Sequence, residues 1–253
     1  EFSIGPEAFA LLKEMHPSVA IRFLDTYDEF VGSLSECNIG ITWRMVASDY
    51  PPAGHLKAIV TPAAGKDWVH SDPSGRIPTF HGSFHGKIMS ESLLATILHF
   101  NNGLHVQLQN QRNSKWERGL PFRRRRLEGQ SVLILGYGNL GRESSALLER
   151  LGLKVRGTKR SLAGEEGNNN LVQFDDALEN LGEFDHVVSL LPGDESTRGL
   201  IGREHFQAMK RSAVFYSLGR GLAIREIELV EALQEGEIAG AGLDVFEVEP
   251  LSV

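Results

Sequence analysis

Cysteine is almost missing from this chain: Cys37 is the single one in 253 residues. One thiol cannot build an internal disulfide framework or a cysteine-based metal cluster, so Cys37 reads as a small buried hydrophobe and no metal site is expected. No apolar run is long enough to span a bilayer, and no signal-peptide pattern opens the sequence. A cytoplasmic enzyme without a membrane partner is expected. Basic charge is in deficit as well. The 26 Lys and Arg face 33 Asp and Glu, giving a net charge of −7 and a pI near 5.7. That balance argues against a general nucleic-acid partner. The chain starts at Glu1 rather than a methionine, and its natural amino terminus is expected upstream.

Glycine, in contrast, is well supplied, and its most telling placement lies in SVLILGYGNLGRESSALLERLGLKVRGTK, residues 131–159. The apolar run 132–135 is short enough for a buried parallel strand. Gly136, Gly138 and Gly141 follow in GxGxxG spacing. Ala146, Leu147, Leu148 and Leu151 then recur at helical periodicity, and Gly152 stops the helix. Residues 153–157 read as the return strand. A dinucleotide suits this order: Gly136 permits the tight turn, Gly138 lets backbone approach the pyrophosphate, and Gly141 lets the helix pack on the strand. The helix start at Asn139, Leu140 and Gly141 presents N–H groups to the anion. A lone GxGxxG is a weak signal; the surrounding strand, turn, helix and strand favour a nucleotide site over a plain connecting turn.

The end of the return strand selects the cofactor. An NAD site places Asp or Glu about 20 residues past the glycines, to hold the ribose 2′-hydroxyl. Here Lys159, Arg160 and Ser161 stand there instead. Two cations and a hydroxyl suit a 2′-phosphate; an isolated Lys-Arg pair would read as a solvated basic loop, but its position makes NADP(H) preferred over NAD(H).

Upstream, residues 1–87 read as a small α/β unit. Pro6 opens a helix with Ala8, Leu11, Leu12 and Met15 on one face. A strand over 19–24, a helix over 27–34 and strands over 39–43, 56–60 and 77–80 follow. The third strand ends in TPAAG, whose Ala64 and Gly65 fit a backbone cradle for a substrate carboxylate; on spacing alone a structural turn fits equally. A long helical pattern over 88–116, with a kink at Asn101-Asn102-Gly103, is expected to bridge two domains and to pack against a second subunit, a simple intradomain helix being the alternative. The run from Arg123 to Arg126 reads as solvated surface.

After a polar loop over 164–170, strands are expected over 171–174, 186–191, 214–218 and 238–245, with helices near Ala177 and over 224–233. Strand ends line the crevice of a doubly wound sheet, which makes Leu191, Pro192 and Thr197 candidates to touch nicotinamide or ribose. Arg220, between Gly219 and Gly221 at the next strand end, is placed to reach into a cleft, although composition alone makes it a surface arginine. Asp244 and Glu249 lie at the end of a neighbouring strand. An arginine fork binds a planar carboxylate, and a carboxylate orients and charge-stabilises a catalytic imidazole.

Several segments in this order resemble the D-isomer-specific 2-hydroxyacid dehydrogenases, the family of glyoxylate/hydroxypyruvate reductases, D-lactate and phosphoglycerate dehydrogenases. They are LKAIVTPAAGKDWV (56–69), MSESLL (89–94), LEGQSVLILGYGNLG (127–141), SLLPGDESTRGLIG (189–202), SLGRG (217–221) and GAGLDVFEVEP (240–250). Gln111, Trp116 and Arg160-Ser161 are most similar to the NADPH-preferring glyoxylate/hydroxypyruvate reductase branch.

The resemblance implies a Rossmann-type doubly wound parallel sheet, about 91–253, and a smaller flavodoxin-like α/β substrate domain, about 1–90, with the active site in the cleft between them. It implies reduction of a small 2-oxoacid to the D-2-hydroxyacid by hydride from NAD(P)H, in a homodimer. Arg220 matches the arginine that grips the 2-oxoacid's carboxylate and carbonyl. Glu249 matches the glutamate that pairs with the acid/base histidine and raises its pKa. Asp244 matches a residue near the nicotinamide amide, Ala64 and Gly65 the carboxylate cradle, and Leu191, Pro192, Thr197 and Leu218 cofactor contacts.

There are departures. The family's histidine lies beyond the Glu-Pro motif, whereas all nine histidines here precede it, so that histidine is expected past Val253. Ser217 stands where an asparagine is usual, and Asn101 or Asn102 where an arginine is usual. The same motifs also fit a non-catalytic NAD(P)-sensing dimeric scaffold, similar to the dehydrogenase-like corepressors, and a cofactor-binding homologue without activity.

Overall fold

The computed structural model describes residues 5–119, 124–165, 168 and 170–251. The chain divides into two compact units, Glu1–Ser83 and Phe84–Val253. Arg123 and part of the 164–170 loop lie outside the described residues.

The first unit opens with α1 (Pro6–Met15) and α2 (Tyr27–Ser33). Thr26 caps α2 reciprocally: its hydroxyl accepts the Glu29 N–H, and the Glu29 carboxylate accepts the Thr26 N–H. Strands β1 (Ile39–Ile41), β2 (Ala58–Thr61) and β3 (Thr79–His81) form a parallel sheet in that order. Leu34, Met45, Leu56, Ile59, Val69 and Ile77 fill its core. One expectation fails here. Residues 19–24 pair with no strand, and Val19 and Phe23 stay exposed; without a ladder partner, alternation alone does not make a strand. Helix α1 forms as expected from Pro6, with no residue fully buried: Leu12 is half-buried, while Leu11 and Met15 are more than half exposed at 55% and 62%. Cys37 is only half-buried, and burial raises its thiol pKa.

The second unit starts with α3 (His85–Asn102) and α4 (Leu104–Arg112). Gly103, at φ +60°, separates them, so the expected kink is a full break. Then come β4 (Ser131–Leu135), α5 (Asn139–Arg150), β5 (Lys154–Lys159), β6 (Leu171–Gln173) and α6 (Phe174–Glu179). The chain crosses back through β7 (His186–Ser189), α7 (Arg203–Ala208), β8 (Val214–Ser217), α8 (Glu226–Gln234) and β9 (Gly240–Leu243). All six strands are parallel, in the order β6-β5-β4-β7-β8-β9.

Both faces of this sheet are covered, which is why β7 and β8 are buried at every position. On one side Leu133, Leu135, Val187 and Phe215 pack with Phe206 of α7 and Leu229 of α8. On the other, Val132, Ile134, Val188 and Tyr216 meet Leu93 and Ile97 of α3 and Leu148 of α5. The doubly wound parallel sheet expected from the sequence is therefore present. Helix α7, for which the sequence reading placed nothing, is held by Phe206, whose ring meets Phe215 edge-on at 5.4 Å.

A polar chain crosses the amino-terminal edge of the sheet. Asn101 Nδ2 donates to Gln130 Oε1 at 3.1 Å, and His186 Nε2 lies 2.5 Å from the same oxygen. That oxygen can only accept, so Nε2 carries the proton and Nδ1 accepts from the Tyr216 hydroxyl at 3.0 Å. Burial is the main cause that lowers the His186 pKa to about 4, and Arg125 and Lys210 add to it. Beside it Asp185 accepts the Ser131 N–H and pairs with Arg125 at 2.7 Å and Lys210 at 3.2 Å. Burial opposes the Asp185 charge, but these partners outweigh it and hold the carboxyl well below its usual range.

Candidate active site

Because the strands are parallel, one edge of the six-stranded sheet collects every carboxyl end. The connection after β4 leads to β5 on one side while β7 pairs on the other, so the turn after β4 sits at the switch point, where such sheets bind ligands. Gly136 makes the turn at φ +100°, and a Cβ there would come 2.9 Å from the Leu190 carbonyl oxygen. Its N–H is tied to the Thr158 hydroxyl at 3.2 Å, and the Tyr137 N–H to the Thr158 carbonyl at 2.9 Å. Gly138 has nothing within 4 Å of a built Cβ and carries no side-chain cap for α5, so the helix's amino end opens onto free space. An anion that needs close backbone approach fits there. Asn139 is exposed and Leu140 half-buried beside it, while a Cβ on Gly141 would strike the Gly136 carbonyl oxygen at 2.8 Å. Thr158 is a supporting residue the sequence reading missed; its place one residue before the cation pair was the available signal.

At the end of β5, Arg160 and Ser161 are exposed and Lys159 is half-buried. The Lys159 ammonium pairs with the Glu165 carboxylate. Arg160 Nη2 donates to Ser196 Oγ at 2.5 Å and stands 3.8 Å from Asp194 Oδ1. The Ser161 hydroxyl accepts the Ala163 N–H at 3.3 Å.

After β7, Leu191 turns its side chain into the core, whereas Pro192 is exposed. Thr197 departs from expectation: it is 1% exposed, and its hydroxyl donates to the Pro192 carbonyl at 2.6 Å and accepts the Asp194 N–H. It braces the 192–197 loop and presents no hydroxyl to a ligand. After β8, Leu218 is half-buried. Gly219 is required by a close approach, since a Cβ there would lie 2.4 Å from the Leu191 carbonyl oxygen. Arg220 is half-buried, its stem packed on Gly193 and its Nη1 donating to the Gly219 carbonyl at 3.0 Å. After β9, Asp244 is exposed, with its N–H on the Ser217 carbonyl at 2.9 Å. Glu249 is exposed and its carboxylate accepts the Phe246 N–H at 2.8 Å.

Lys159, Arg160, the glycine turn, Pro192, Leu218, Gly219, Arg220 and Asp244 therefore share one edge of one sheet. Two pockets of 490 and 630 Å³ in the same unit lie away from it, around Gln107 and Trp116 and around Leu98 and Arg150. In the first unit, Ala64 is exposed and Gly65 half-buried just past β2, where the buried Thr61 hydroxyl accepts the Ala63 N–H at 3.2 Å. Among the described residues no group of three or more His, Cys, Asp or Glu is placed to hold a metal, and no helix is long and apolar enough to cross a membrane.

A family model described as D-isomer specific 2-hydroxyacid dehydrogenase, NAD binding domain, matches residues 94–253. The chain belongs to this dehydrogenase family. Over 73 residues it is 53% identical to a glyoxylate/hydroxypyruvate reductase B of Enterobacter sp., covering 29% of this chain and 22% of that one. Among solved structures it is similar to a D-isomer specific 2-hydroxyacid dehydrogenase from Xanthobacter autotrophicus Py2 in complex with NADPH and MES. That match has a TM-score of 0.82 and 28% identity, and covers 99% of this chain and 80% of the other. It is also similar to an NADPH-dependent glyoxylate/hydroxypyruvate reductase from Sinorhizobium meliloti in complex with NADP and sulfate, with TM-score 0.72, 28% identity and coverage of 87% and 71%. The matched stretches span 22% of the first curated relative and 44% of the second.

Proposed function

We propose that this dehydrogenase reduces a small 2-oxoacid, of the glyoxylate or hydroxypyruvate kind, to its D-2-hydroxyacid, with NADPH preferred over NADH as hydride donor. The observation that carries the reading is the open glycine turn at the switch point, with Lys159 and Arg160 on one side of it along the sheet edge and Arg220 on the other. Bound there, the cofactor supplies hydride. This chain's own residues bind and orient the reactants. The amino end of α5 and the Gly138 backbone take the pyrophosphate, and Lys159, Arg160 and Ser161 take the 2′-phosphate. Pro192, Leu218, Gly219 and Asp244 line the nicotinamide side, with Leu191 packed into the core beneath them. Arg220 takes the substrate carboxylate and draws electron density from the carbonyl, where negative charge grows as the carbon is reduced. Glu249 is assigned to raise the pKa of the imidazole that protonates that oxygen. The exposed Ala64-Gly65 turn is assigned to a carboxylate through its backbone N–H groups.

Homodimerisation belongs to the same reading and is supported by the exposed apolar residues Leu104 and Leu108 and by Trp116, which is 88% exposed; light scattering of the purified protein tests it. A cytoplasmic setting is proposed with it. The decisive assay follows NADPH oxidation by the full-length protein with glyoxylate and hydroxypyruvate. Arg220→Ala is expected to lower kcat/KM by about 10³-fold or more and to change the NADPH Kd less than about threefold. Undiminished turnover by that variant removes Arg220 from the chemistry. NADPH binding without any turnover in the unaltered protein replaces the reductase reading with a cofactor-sensing scaffold.

A further inference from the structure

The cations assigned to the 2′-phosphate already have acidic partners. Lys159 is paired with Glu165, and these side chains are only 27% and 25% exposed. Arg160 donates to Ser196 Oγ and stands 3.8 Å from Asp194 Oδ1. Asp194 is itself fixed, since Oδ1 accepts both the N–H of Ser196, at 3.0 Å, and its hydroxyl. Hydrogen bonding from Ser196 is the leading cause that lowers its pKa, as that from Lys159 is for Glu165, so both stay ionised near neutrality. Strand order gives the Arg160 contact its meaning. Arg160 follows β5 and Ser196 follows β7, and β4 lies between those strands. The contact therefore reaches across the carboxyl end of β4, beside the Gly136–Gly138 turn.

We propose that Asp194 and Glu165 are resident counter-ions of Arg160 and Lys159, exchanged for the 2′-phosphate when NADPH binds and left in place when NADH binds. This rests on the NADPH reading above. Each carboxylate supplies the negative charge that the phosphate later brings, so each competes with it for the same donors. A ligand gains only the difference between the contact it makes and the one it displaces. The two acids thereby hold NADPH affinity below what the bare cations would give, and the selectivity for NADPH over NADH with it.

The test is fluorescence titration of the intact protein with NADPH and with NADH, for the unaltered chain, Asp194→Asn, Glu165→Gln, Arg160→Ala and the Arg160→Ala/Asp194→Asn double variant. Thermal melts confirm that each is folded. Exposed ion pairs are weak, so Asp194→Asn is expected to tighten NADPH by about twofold to fivefold. Glu165→Gln, at the less exposed pair, is expected to do at least as much. NADH affinity should move by less than about twofold in both. In the Arg160→Ala background, Asp194→Asn should have no further effect. NADPH binding that is unchanged or weakened in both acid variants overturns the exchange, weakening being the signature of acids that merely aim the cations. Arg160→Ala separates the two levels. If it weakens NADPH about tenfold while the acid variants do nothing, the cofactor reading stands and the exchange falls. If it leaves NADPH binding alone, both fall.

Discussion

Acidification should destabilise the larger unit through His186 before its carboxylates protonate. The imidazole is 1% exposed, and its pKa is lowered from 6.5 to about 4, chiefly by burial. A second proton, on Nδ1, would point at the Tyr216 hydroxyl, which now donates to that nitrogen. Above pH 6.5 the ring is neutral in both the folded and the unfolded chain, and its contribution to stability is present in full. As pH falls below that, the unfolded chain takes up a proton that the folded chain refuses, so stability is lost down to about pH 4. The slope approaches about 1.4 kcal/mol per pH unit, and between pH 7 and pH 5 the loss is about 2 kcal/mol. Carboxyls whose pKa is lowered, among them Asp185 and Asp72, take over only below their ordinary range near 4. His105 and His205 are shifted in the same direction as His186, so a variant is needed to isolate it. Urea unfolding by far-UV circular dichroism, at fixed ionic strength and at pH 7 and 5, measures the loss. His186→Gln keeps an amide between Gln130 and Tyr216 and should cut it by more than half. A protein equally stable at both pH values, or a His186→Gln variant that keeps the full slope, refutes the account.

The two glycines of the turn should behave oppositely. Gly136→Ala forces a Cβ into a left-handed turn 2.9 Å from the Leu190 carbonyl and should cost about 2 kcal/mol by urea unfolding. Gly138→Ala adds a Cβ that meets nothing within 4 Å; it should leave the melting temperature within about 2 °C and weaken NADPH binding, as titration would show. Asp185→Asn leaves Arg125 and Lys210 without their shared carboxylate and should destabilise by about 2 kcal/mol in the same unfolding assay at pH 7. A loss under about 0.5 kcal/mol would show the triad to be ornamental.

The sequence reading was strongest where one signal serves both chain geometry and chemistry. The run from Val132 to Gly141 specifies a buried strand, a turn with Gly136 at positive φ and a helix start at Asn139. It was weakest where pattern stands in for pairing. Residues 19–24 alternate as a strand should, but a ladder needs a neighbour and the described structure provides none. Helix α7 carries one core residue, Phe206, in six positions, too few to raise a periodic signal even though that ring is fully buried.

Why the cation pair could be read while its counter-ions could not follows from the same contrast. Lys159 and Arg160 sit at a fixed distance along the chain from the glycines, because one helix and one strand separate them, and both elements have a set rise per residue. Glu165 and Asp194 reach them across loops, one six residues on and the other on a different strand's end. No spacing rule ties either acid to its cation; only the β5-β4-β7 order brings Asp194 across the turn. The absence of an acid at the 2′ position, which in the sequence favours NADPH, thus holds for the strand end and fails for the folded edge. There two carboxylates stand within reach of the two cations, and on the proposed reading NADPH binding depends on how readily those carboxylates give the cations up.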